Sequence, residues 1–95
     1  GMEELQLFLH KQLRSVMEPI VDELGAHLTV TEGDRMFVAD HFTLCVLGHV
    51  CQWLANGMSA DPYILTERIS RVLDGQVLRS LTMFADKPTR TSSRG

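Results

Sequence analysis

His41, Cys45 and His49 recur at every fourth residue, and Gln52 follows on the same helical seam. Imidazole and thiolate are the ligands that zinc and other soft or borderline metals prefer, so the first chemistry this spacing raises is a transition-metal site. Residues on three successive helical turns span about 12 Å, too far for all of them to reach one ion held about 2.0–2.3 Å from each ligand. Only a neighbouring pair, His41 with Cys45 or Cys45 with His49, can chelate together, and then with help from another segment. A Cys45 nucleophile activated by a neighbouring histidine is the enzymatic version, but the pattern supplies no orienting third residue and no oxyanion-hole loop. The chain also has no Gly-rich phosphate loop and no Cys-x-x-Cys pair, and its Glu18/Asp22 pair falls on a polar helix face. The pattern therefore predicts no catalytic residue, no metal and no cofactor. It predicts that His41, Cys45, His49 and Gln52 form a semi-polar seam facing a ligand groove or a two-fold axis.

The element that carries this seam is Phe37 to Trp53, with no Pro and a single Gly. Plotted at 100° per residue, Val38, Ala39, Phe42, Val46, Val50, Trp53 and Leu54 fill one broad arc. Phe37, Leu44, Leu47 and Cys51 extend that arc round the back, which predicts a central helix buried on more than one side, partly by its own chain and partly by a second copy. Gly48 inside a helix costs about 1 kcal/mol relative to Ala. Its presence predicts the close approach of another backbone, from a symmetry mate or from the last helix. Trp53 closes the run as a packing anchor. Asp40, His41, His49 and Gln52 within the run argue against a membrane span.

Around this helix the chain of 95 residues is one domain, 44% hydrophobic and 22% charged, an ordinary globular composition and not that of a disordered chain. At this size dimerisation often supplies missing burial. Cys45 and Cys51 lie six apart on one helix and point about 120° away from each other, so they are expected as free thiols. The net charge of −3 conceals an asymmetry: without Lys87, Arg90 and Arg94 of the tail, six basic residues face twelve acidic ones, and the body sits near −6. A body that acidic is a poor partner for nucleic acid. With no signal sequence at the front and no membrane span, the expected location is cytoplasmic.

Glu3 to Leu24 reads as the first helix, with Leu5, Leu9, Leu13, Val16, Met17, Ile20 and Leu24 on one arc and Arg14, Glu18 and Asp22 facing away. Pro19 predicts a kink or a break near Glu18, and Gly25 ends the helix. Residues 26–31 are expected as an extended connector. Thr31 or Asp34 can cap the central helix, Asn56-Gly57 ends it, and Asp61-Pro62 starts the next. That helix turns Leu65, Ile69, Val72 and Leu73 to one face. After Asp74-Gly75 the apolar arc shifts to Val77, Leu78, Leu81 and Phe84, which predicts either a rotated contact surface or a short extra helix. The domain is expected over residues 2–86, with 87–95 a flexible basic tail.

The stretch FVADHFTLCVLGHVCQWLANGMSADPYILTERISRVL resembles the last two long helices of TetR-family transcriptional regulators. An apolar helix with an internal Gly48 leads to Trp53-Leu54, then to an Asn56-Gly57 turn, and Ser59-Ala60-Asp61-Pro62 opens an amphipathic helix ending near Leu73. The resemblance covers roughly the second half of the chain. It implies that these two helices pair with the same two of a second subunit as a four-helix bundle; periodicity gives an all-α fold of three long helices, and helical phase names Val46, Val50, Trp53, Leu54, Leu65, Ile69, Val72 and Leu73 as bundle and dimer contacts. It further implies a homodimeric, effector-sensing domain acted on by a small molecule, without enzymatic activity. The DNA-reading helix-turn-helix of that family has no counterpart here, so no DNA contact is carried over. A different class, a small helical adaptor that binds a protein partner and no ligand, is the competing expectation.

Overall fold

A computed structural model describes residues 1–85 as four α-helices: α1 (Met2–Leu24), α2 (Glu32–Ala55), α3 (Pro62–Leu73) and α4 (Gln76–Ala85). The three helices expected from the sequence are present, and the apolar shift after Gly75 is a separate helix. The tail expected at 87–95 lies outside the described residues. The boundaries follow local chemistry. Thr31 caps α2 by accepting from the Asp34 N–H at 3.1 Å, and Asp61 caps α3 by accepting from the Tyr63 N–H at 2.9 Å. At the other end of α2, Gly57 sits at φ +70. The Gly57 and Met58 N–H groups return to the carbonyls of Leu54 and Trp53, which satisfies two of the helix's last acceptors.

Two expectations for the first third of the chain are corrected. α1 is one helix through Pro19, so of the expected kink or break it is the break that is excluded. The carbonyl that loses its partner to the proline is that of Ser15, an exposed residue, so water can take the place of the missing N–H. The connector is not extended throughout. It begins as a tight turn over residues 25–28, with the Leu28 N–H donating to the Gly25 carbonyl at 3.0 Å.

The core is built by three of the four helices. Met17 and Val21 come from α1, Val38, Ala39 and Phe42 from α2, and Val77 and Leu81 from α4, with Leu28, Val30, Leu73 and Phe84 packed round them. Leu81 is wholly inaccessible and Val21 is 1% exposed. The buried Thr43 satisfies its hydroxyl on the Ala39 carbonyl at 2.7 Å. The inward line of α1 is thus His10, Arg14, Met17 and Val21, so Arg14 does not face away. Leu5, Val16, Ile20 and Leu24, expected on the buried arc, are exposed.

α3 contributes no buried residue and packs mainly against α4. Within one chain, α2 buries its side chains on one side and only along its first half. Phe37 and Leu44, on its back, are 63% and 51% exposed. The second half of α2 and most of α3 therefore project from the core, and the described residues together extend 56 × 27 × 21 Å.

Candidate functional site

The four seam residues all lie on the exposed side of α2. His41 and Cys45 meet, with Nε2 and Sγ 3.8 Å apart. The His41 ring is held by two aromatics: Phe37 lies nearly parallel at 6.3 Å between centroids, and Phe42 meets it edge-on at 5.0 Å. His49 and Gln52 belong to a different place, a hollow of about 260 Å³ beside Trp53 and Leu65, whereas His41 lines one of about 160 Å³ with Phe37, Ser80 and Phe84. Cys45 lines neither. The structure thus brings together one pair of the seam and separates the rest. Among the described residues no three His, Cys, Asp or Glu side chains cluster at metal-binding distance.

A larger concavity lies elsewhere, where the end of α1, the connector and the start of α2 converge. It encloses about 460 Å³, within the range of small-molecule sites. Val21, Val30, Met36 and Ala39 form its apolar part, and Arg14, Glu18, Asp22, Glu32 and Arg35 its charged part. Arg14 crosses from α1 to α2, its Nη1 3.2 Å from Asp40 Oδ1, and its Nε lies 3.3 Å from Glu18 without a hydrogen bond of its own. His10 Nε2 reaches the same Asp40 oxygen at 3.3 Å. Arg35 bends back from α2 to donate to the Gly25 carbonyl at 2.7 Å and to the Leu28 carbonyl at 3.4 Å. A Cβ on Gly25 would come within 2.8 Å of that guanidinium. The sequence reading missed this groove, because its walls come from residues as far apart in the chain as Arg14 and Ala39. The 4-3-4 spacing of His10, Arg14, Met17 and Val21 was the available signal for which way α1 faces.

The proposed bundle residues occupy the projecting half. Val46, Val50, Trp53, Leu54, Leu65, Ile69 and Leu73 are half-buried, and Val72 is 60% exposed. Trp53 acts as an anchor: its indole N–H donates to the Ala60 carbonyl at 2.8 Å and ties the inter-helix turn to the end of α2. At Gly48 the expectation of a close approach by the last helix is corrected, since among the described residues no atom outside the helix's own local backbone lies within 4 Å of the space a Cβ would fill. α4 instead packs along the first half of α2, where Phe84 meets Phe37 edge-on.

Similarity to known proteins falls on the same elements. The family model described as the C-terminal region of a transcriptional regulator, of the TetR type, matches residues 1–75, which hold α1, α2 and α3. No curated protein and no solved structure matches the chain. With most of its length covered by that model and with its all-α architecture, the chain belongs to the C-terminal domains of TetR-family transcriptional regulators.

Proposed function

We propose that this domain joins two copies of the chain through α2 and α3 and couples that dimer to a small-molecule effector, without catalysing a reaction, in the cytoplasm. The observation that carries the reading is that α3, an amphipathic helix with Leu65, Ile69, Val72 and Leu73 on one side, buries none of its residues in a single chain. Pairing α2 and α3 with the same helices of a second copy would make a four-helix bundle of Val46, Val50, Trp53, Leu54 and the α3 stripe. Burial of apolar surface at about 25 cal/mol per Å² is the driving force such a surface lacks in the monomer. Effector sensing is assigned to the groove between α1 and α2, whose charged walls and apolar floor suit a ligand with both characters. No helix among the described residues is long and apolar enough to cross a membrane.

Val72→Glu tests the dimer without disturbing the monomer, because that side chain is already mostly in water. Light scattering behind size exclusion should give two chains for the parent and one for the variant. A parent that runs as one chain over a tenfold concentration range would remove the reading, and a small helical adaptor would take its place.

Gly48→Ala gives a second, sign-based test. Among the described residues nothing opposes the added methyl, so a monomer should gain roughly 1 kcal/mol from helix propensity. If a second backbone crosses at Gly48, the same substitution should weaken the dimer instead, seen as dissociation at higher protein concentration.

A further inference from the structure

We propose that the groove between α1 and α2 takes an organic cation, an amine with an apolar body, in preference to the matching anion. The inference rests on the proposal that this groove binds the effector, and adds the sign of the effector's charge. It follows from which polar groups of the groove are still open to a ligand. Two guanidinium groups and three carboxylates line it. Both guanidinium groups are engaged within the chain. Arg14 places Nη1 3.2 Å from Asp40 Oδ1, and its Nε is closed off from solvent. Arg35 turns Nη2 onto the Gly25 and Leu28 carbonyls. An incoming anion would have to displace those partners before it met a free donor.

The carboxylates are open instead. Glu18 is exposed and lies 3.3 Å from the Arg14 Nε without receiving a hydrogen bond from it. Asp22 and Glu32 are exposed and, among the described residues, form no ion pair. Glu18 and Asp22 stand one turn apart on α1, the spacing at which like charges repel, and Glu32 borders the same groove from the start of α2. An ammonium group relieves that repulsion and donates charge-assisted hydrogen bonds to the same acceptors. Val21, Val30, Met36 and Ala39 then cover the apolar body of the ligand.

The test uses the full chain at neutral pH and three probes that share one body: phenylbutylamine, phenylbutanol and phenylbutyrate, which are positive, neutral and negative. NMR shifts of the methyl groups of Val21, Val30, Met36 and Ala39 report the site, and their titration gives the affinity. The amine should bind about threefold to tenfold more tightly than the alcohol, and the carboxylate more weakly than either. Asp22→Asn combined with Glu32→Gln should bring the amine level with the alcohol. Glu67→Gln combined with Asp74→Asn makes the same change of charge away from the groove and should leave the preference intact, which separates the groove from the net negative charge of the chain. Equal affinity for amine and alcohol, preference for the carboxylate, amine shifts confined to other residues, or a preference that survives Asp22→Asn with Glu32→Gln would each overturn the proposal. The two readings fail separately. An alcohol or carboxylate that shifts the four groove residues while the amine gains no preference removes the cation and keeps the effector groove, whereas three probes that all leave those residues unshifted remove both.

Discussion

Replacing Leu81 by Ala should destabilise the chain by roughly 2–5 kcal/mol, the cost of deleting a fully buried Leu and leaving a cavity. Leu81 has no accessible surface and shares its cluster with Val21 of α1 and Val38 and Phe42 of α2, so no single helix can move in to fill the gap. Leu78, on the same helix, is 42% exposed, and its replacement by Ala should cost under about 1 kcal/mol. Urea unfolding followed by circular dichroism at one fixed protein concentration measures both, and fixing the concentration keeps any dimer contribution constant. Equal midpoints for the two variants would mean that α4 does not close the core. The point matters for the family assignment, because the matched region ends at Gly75 and α4 begins at Gln76.

The second large effect is expected at Asp40. Its carboxylate receives both Arg14 and His10, and Arg14 is 20% exposed where it crosses between the helices. Asp40→Ala leaves that guanidinium with only the more exposed Glu18 carboxylate beside its Nε, for an expected loss of about 1–3 kcal/mol, below the range for a fully buried pair because Asp40 itself is 42% exposed. Combining it with Arg14→Met, which retains an apolar stem of similar length and removes the stranded charge, should recover most of the loss. A double-mutant cycle on the same urea assay reads the coupling. Additive single effects would show that the pair is only a solvated neighbour contact.

The legible parts of this fold were those written in local chemistry. Thr31, Asn56-Gly57 and Asp61-Pro62 mark helix ends by hydrogen bonds that close within a few residues, and each acts where its spacing predicts. The orientation of α1 was not legible in the same way. Its buried line carries His10 and Arg14 above Met17 and Val21, and a search for apolar periodicity selects Leu5, Val16 and Ile20 instead. What makes the polar line the inner one is Asp40, twenty-six residues from Arg14, and a one-dimensional pattern does not record that pairing. The seam on α2 was half legible. Four-residue spacing brings His41 to Cys45, but the ligand-sized groove forms where Arg14 and Arg35 converge, and neither was singled out.

The position of α4 also sets the order in which the molecule can assemble. Val21 and Leu81 belong to one cluster yet lie sixty residues apart in sequence, so that part of the core cannot close until almost the whole chain is in place. The α1–α2 hairpin is short-range and can form early, with Arg35 fastening its turn to the Gly25 carbonyl. α3 and its Trp53-anchored turn then act as a tether that holds α4 near its docking site, so the segment searches a small volume instead of that open to a free coil. Loosening that turn should slow refolding more than it speeds unfolding, a kinetic role for a helix with no fully buried residue in the monomer.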